Sequence, residues 1–234
     1  MPDPLRISVV IPVLHEPGNI NKLIGHLRAL PSDKDPEIIV VDGDPARDTI
    51  AAIEHSNVIA ASAAQGRASQ MNVGAALATG DVLLFLHADT FLPWNALELI
   101  TESLQNDVIV GGAFDLGILT DRPIFRITEH YVRARTRLTR VPFGDQAIFL
   151  RCGYFREIGG YRTIPIMEDV ELMTRIRKAG GKIRIIPAKV MTSPRRWEEE
   201  GVLRATLRNW KMQLFYWWGV PPERLARFYR KRRG

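Results

Sequence analysis

Gly80-Asp-Val-Leu-Leu-Phe-Leu-His-Ala-Asp-Thr90 is the stretch whose reading decides the fold. Its first half is nearly all apolar and reads as a strand buried on both faces. Such strands belong mostly to parallel sheets covered by helices. Its second half turns polar at His87, Asp89 and Thr90. A carboxylate at the end of a buried strand sits at the carboxyl edge of the sheet, where open α/β sheets bind ligands. Asp is also a common turn and N-cap residue, so the strand end alone leaves both readings open.

The segments before it repeat the pattern. Residues 6–14 read as a strand, with Pro12 expected at its end or at a bulge. Residues 19–30 have helix spacing, 37–41 form a second buried strand, 48–55 a short helix and 57–61 a third strand. An Ala-rich helix over 66–79 leads into the central strand, and Pro93 opens the next helix. Alternating strands and helices imply an α/β fold with a mostly parallel central sheet flanked by helices.

The second half is less regular. Residues 108–119 look like strand material broken at Gly111-Gly112. Residues 123–138 are mixed, with Arg133, Arg135 and Arg137 alternating. A short strand is expected at 147–150, a helix at 154–158, a helix at 168–179 closed by Gly180-Gly181, and a strand at 182–186. A long helix over 201–218 follows. Leu203, Leu207, Trp210, Leu214, Trp217 and Trp218 share one stripe of it.

Bulk properties narrow the classes. At 234 residues and 46% hydrophobic content the chain can fill one full-sized core. No apolar run is long enough to span a bilayer, and the first residues carry no signal-peptide pattern. The single cysteine, Cys152, allows no internal disulfide and fits a reducing, cytoplasmic compartment. The net charge of +6 equals the six cations of residues 224–234, which hold no acid. This is a neutral body with a basic tail. The tail suits anionic lipid or an acidic partner. Nucleic acid is not expected, because no aromatic platform is interleaved with the cations.

Several motifs are missing. There is no G-x-G-x-x-G after the first strand, no P-loop, no zinc spacing and no nucleophile elbow. What remains is a set of polar sites at strand ends or a helix start: His15-Glu16, Asp42, His87-Ala-Asp89 and Glu168-Asp169.

In order and spacing these residues resemble a family 2 glycosyltransferase of the GT-A type, over about residues 6–200. Ser8-Val-Val-Ile-Pro12-Val-Leu-His15-Glu16 resembles that family's opening strand, and Val40-Val-Asp42 its second. Leu86-His-Ala-Asp89 is similar to its D-x-D metal motif. Met167-Glu168-Asp169-Val-Glu-Leu172 resembles its E-D motif, and Ser193-Pro-Arg195-Arg196-Trp197 its Q-x-x-R-W region. Gly66-Arg-Ala-Ser-Gln-Met-Asn72 together with Gly144-Asp-Gln146 points to a small bacterial subfamily.

The resemblance implies a nucleotide-sugar donor, UDP- or GDP-linked, an inverting transfer to a hydroxyl acceptor, and a divalent metal, Mn²⁺ or Mg²⁺. It implies Asp89 as metal ligand and Asp169, with Glu168, as the catalytic carboxylates. Pro12, Glu16, Asp42, Arg67, Asn72, His87, Arg195 and Arg196 are implied as donor-binding. The sequence departs from the pattern at His87, where the first Asp of D-x-D would stand, at Gly43 and at Met71. Residues 1–200 are expected to form the transferase domain. Residues 201–234 are expected to form an amphipathic helix and basic tail on the same domain, able to reach a membrane surface and a lipid-linked acceptor. Two other readings stay open at this point: a nucleotidyltransferase of similar fold, and a non-catalytic membrane-docked module.

Overall fold

The computed structural model describes residues 5–230, apart from the side chains at 196, 202, 203, 229 and 230. Its first half follows the alternation read from the sequence. Strand β1 (Ile7–Val13) is followed by α1 (Pro17–Ala29), β2 (Glu37–Asp42), α2 (Asp48–Ala51) and β3 (Val58–Ser62). Then come α3 (Arg67–Leu77), β4 (Val82–Phe85), the two-residue β5 (Thr90–Phe91) and α4 (Ala96–Ser103). β1, β2 and β4 form because their apolar runs can be covered on both faces. Val9, Ile11, Val40, Leu84 and the α1 side chains Leu23, Ile24 and Leu27 fill one layer. Val10, Ile39, Val41, Leu83 and the α3 side chains Met71 and Ala75 fill the other. Each fully buried Leu or Ile contributes roughly 1.5–3 kcal/mol.

The second half holds β6 (Ile109–Ile118), α5 (Ile124–Thr139), a 3-10 turn (Gly144–Gln146), β7 (Phe149–Arg151) and α6 (Cys152–Glu157). After these come α7 (Glu168–Lys178), β8 (Lys182–Thr192), α8 (Arg195–Glu200), α9 (Val202–Trp217) and α10 (Pro222–Arg230). All eight strands join one sheet in the order β3-β2-β1-β4-β7-β6-β8-β5. β1 to β4 run parallel, as do β6 and β8; β7 and β5 pair antiparallel with their neighbours.

Pro12 lies where its missing donor costs nothing. The β1–β4 pairing ends at Val10↔Phe85, so the proline faces past the end of that ladder.

Three expectations are corrected. Gly111-Gly112 does not break the strand. A Cβ there would lie 2.3 Å from Phe149 O and 2.2 Å from Arg184 O respectively, so the glycines let β7 and β8 approach. Residues 124–139 form a continuous helix. Arg133 and Arg137, one turn apart, both reach the buried Asp115, at 3.0 and 2.8 Å. Arg135 turns inward over the Phe143 ring, 3.5 Å from its centroid. Finally, β8 does not stop at residue 186. The register jumps from Phe114↔Ile186 to Asp115↔Lys189, so Pro187 and Ala188 are looped out and pairing resumes.

Candidate active site

The carboxyl ends of β1, β2 and β4 and the start of α7 carry most of the singled-out residues. Glu168 and Asp169 open α7, after Met167 at a left-handed φ of 66°. A non-glycine residue held in that region costs energy, and such positions gather at functional sites. Asp169 Oδ1 accepts from the Val170 amide at 2.7 Å, and its Oδ2 from the Gly144 amide at 2.6 Å. Two amide donors fix the direction of this carboxylate.

Gly144 joins this carboxylate to the β4 edge. A Cβ on it would lie 3.0 Å from His87 Nε2 and 3.5 Å from Asp169 Oδ2. His87, Gly144 and Asp169 therefore meet at one point, although they lie far apart in the chain. The turn that bears Gly144 is fixed by Gln146, which is fully buried. Its Oε1 accepts from the Phe143 amide at 3.1 Å and from Thr136 Oγ1 at 3.0 Å, while its Nε2 donates to Phe114 O at 2.9 Å. Sequence reasoning assigned Gly144 and Gln146 no role; the Gly-Asp-Gln triplet was the visible signal.

Glu168 is buried beside Asp169. Burial, then the neighbouring charge of Asp169, push its pKa up to about 7, while Arg67 opposes the rise. Arg67 at the start of α3 thus sits close enough to act on the E-D pair. Tyr161, fully enclosed, has its hydroxyl pKa raised by burial and by the same two acids.

The metal-ligand candidate Asp89 is half-buried at the edge beyond β4. Thr90 Oγ1 approaches its Oδ1 only at 3.4 Å, leaving the carboxylate open to a cation. One carboxylate fits a hard divalent ion that completes its shell with phosphate oxygens and water. Arg195, at the start of α8, feels Asp89 electrostatically. Its Nη2 donates to Glu16 Oε1 at 2.7 Å, and this bond holds the guanidinium firmly protonated. Glu16 Oε2 accepts from Asn19 Nδ2 at 2.6 Å. The side chain of Arg196 lies outside the described residues.

Two candidates are occupied within the fold. Asp42 is fully buried. Its oxygens accept from the amides of Asp44 at 2.9 Å and Ile50 at 3.3 Å, so it shapes the loop after β2. Asn72 Nδ2 donates to Tyr161 O at 2.8 Å and its Oδ1 accepts from Tyr161 N at 2.9 Å. It clamps the turn before α7 and does not offer its amide to the cleft.

The Asp42 loop produces a cluster that sequence reading missed. His15, Asp44 and Asp48 bring one ligand atom each to within 4.8 Å of one another and could hold a metal ion. His15 Nδ1 lies 2.9 Å from Asp48 Oδ2 and 3.6 Å from Asp44 Oδ2. The hydrogen bond to Asp48 raises the imidazole pKa and lowers that of the carboxylate.

Solved structures of similar shape fit this layout. Staphylococcus aureus TarS aligns at a TM-score of 0.61 and 14% identity, over 87% of this chain and 38% of its own. The mannosyltransferase PcManGT from Pyrobaculum calidifontis, in complex with GDP-Man and Mn²⁺, aligns at 0.59 and 20% identity, over 82% of this chain and 58% of its own. This chain thus spans less than two thirds of either structure, and at such identities the likeness concerns the fold alone. No curated protein matches the sequence. The family model described as Glycosyl transferase family 2 matches residues 8–163, from β1 through the turn before α7. The match covers more than half of the sequence, and the chain belongs to glycosyl transferase family 2.

Proposed function

We propose that the protein moves a sugar from a UDP- or GDP-linked donor to an acceptor hydroxyl, with inversion at the anomeric carbon. The observation that carries this reading is the meeting of Asp169 and His87 at Gly144. It sets a carboxylate of the α7 start against the strand end that bears Asp89.

Asp169 takes the proton of the acceptor hydroxyl. The freed oxygen pair attacks the anomeric carbon, and the carbon–oxygen bond to the donor diphosphate breaks with its electrons on the phosphate. Asp89 would hold a divalent cation, Mn²⁺ or Mg²⁺, which would neutralise charge on that leaving group. Arg195, braced by Glu16, adds a fixed cation at the same edge. Glu168, whose pKa is raised to about 7 by burial and then by the Asp169 charge, can carry a proton beside Asp169 near neutrality. Pro12 and Asp42 shape the floor and loop of the nucleotide cleft, His87 faces the sugar side, and Asn72 holds the turn behind it. GDP-Man and Mn²⁺ in PcManGT support a donor and metal of this class.

On the acceptor side, α9 and α10 extend the 1–200 domain. A lipid-linked acceptor suits that extension, and with it a place on the cytoplasmic face of the membrane. No helix among the described residues is long and apolar enough to cross a bilayer; the placement proposed is peripheral.

The test is nucleotide release over a panel of UDP-, GDP- and ADP-sugars, with and without Mn²⁺. Metal-stimulated release from one donor is expected. No release from any donor would refute the reading.

A further inference from the structure

α9 carries its apolar bulk on the outside. Ala205, Met212 and Gln213 face inward and are buried. Leu207, Trp210, Leu214, Trp217 and Trp218 face outward, and Trp218 is 70% exposed. At helical spacing these five fall within an arc of roughly 100°. A helix that only covers a sheet is patterned the other way round.

α5 continues the same surface. Ile124, Ile127 and Leu138 recur on one face of it, and Ile127 is 67% and Leu138 86% exposed. Tyr131 lies on that face too. Its ring stacks on Trp210 with centroids 4.3 Å apart and joins the two stripes. Of the sixteen large apolar side chains exposed among the described residues, ten belong to α5, α9 with its cap, and α10. Contiguous exposed patches of this kind mark interaction surfaces.

The surrounding charge says what covers it. The exposed charged side chains described on α9 and α10 are Arg204, Lys211, Arg224 and Arg227, against Glu223 alone. The sequence beyond adds Arg230, Lys231, Arg232 and Arg233 with no acid. A second copy of the same face would bring like charges together, which disfavours self-association. Outward tryptophans beside unpaired cations suit the headgroup level of an anionic bilayer.

We propose that the joined α5–α9 face, with the basic α10 beside it, docks on an anionic phospholipid surface. The contact itself is independent of turnover. Its consequence, an acceptor hydroxyl presented from the bilayer, rests on the transferase reading. α5 leads within a few residues into the turn that carries Gly144, so the docking face and the Asp169 site share one connection.

The experiment is co-sedimentation of the full chain with phosphatidylcholine vesicles, with and without phosphatidylserine, at low and high salt. Binding is expected only with phosphatidylserine, weakening as salt rises. The double variant Trp217→Ser, Trp218→Ser should lose roughly tenfold or more in partitioning while keeping its thermal midpoint. Leu138→Ser tests the α5 half and should also weaken binding. The proposal fails if anionic vesicles are not bound, or if all variants bind like the parent. It also fails if ultracentrifugation shows a dimer that the double variant splits, because a second copy then covers the face. Salt-sensitive binding lost in the variants supports it whether or not any donor is turned over.

Discussion

The amide of Gly144 donates to Asp169 Oδ2 at 2.6 Å, and this bond fixes the direction of the carboxylate that opens α7. The second oxygen is held by the next residue's own amide. In the proposed reaction Asp169 would start already oriented, which would lower the cost of reaching a reactive geometry.

Asp169→Asn should bind nucleotide as the parent does and turn over roughly 10²-fold or more slowly, the scale of a lost general base. Paired binding and single-turnover measurements check this. Near-normal turnover would remove Asp169 from the proton transfer.

Gly144→Ala addresses the positioning directly. Its new methyl would stand 3.0 Å from His87 Nε2, so the imidazole or the turn must give way. Turnover should fall about tenfold, while stability changes by about 1 kcal/mol or less, because the turn is anchored elsewhere by Gln146. A variant that is as active as the parent would show that the His87–Asp169 approach does not matter.

Glu168 makes stability depend on pH. Its pKa is about 7 in the folded chain and 4.5 as the ordinary value. The folded state thus binds the proton more tightly than the unfolded state. The associated stability is fully present below pH 4.5 and is lost as the pH rises through 7. Glu168→Gln should flatten this dependence and gain on the order of 3 kcal/mol at pH 8. Urea titrations of both proteins across this range measure the difference. Parallel curves would mean that Glu168 is not held protonated.

Asp89→Ala should lose Mn²⁺-dependent affinity for the nucleotide and keep the fold, since among the described residues the one hydrogen bond to the Asp89 side chain is the 3.4 Å contact from Thr90. Calorimetry with and without Mn²⁺ distinguishes two sites. If the variant keeps its metal-dependent binding and Asp48→Ala loses it, the ion belongs to the His15–Asp44–Asp48 cluster.

β1, β2 and β4 were legible because each is an apolar run that tertiary context can only bury. The same was true of the E-D pair, which sits at a helix start in both sequence and structure. α5 was not legible. Arg133, Arg135 and Arg137 alternate like a strand, yet two of them serve Asp115 on one side and the third packs on Phe143 on the other. The end of β8 was hidden by Pro187, which the sheet tolerates by looping out two residues. For α9 the periodicity identified a stripe but could not say whether it faces the core or water. The His15–Asp44–Asp48 cluster depends on the register of β1 against β2, a long-range fact absent from either segment alone.

The sheet order carries a consequence for dissection of the enzyme. β8 lies between β6 and β5 and is the strand on which β5 pairs. The Ser193 amide also donates to Asp89 O at 3.0 Å. Residues 182–193 are thus a buckle that fastens the Asp89 loop from outside the stretch 8–163 that defines the family. A fragment cut at the family boundary would leave β5 unzipped and Asp89 without its backbone tether. A unit that keeps the Asp89 loop fastened therefore extends beyond the family signature.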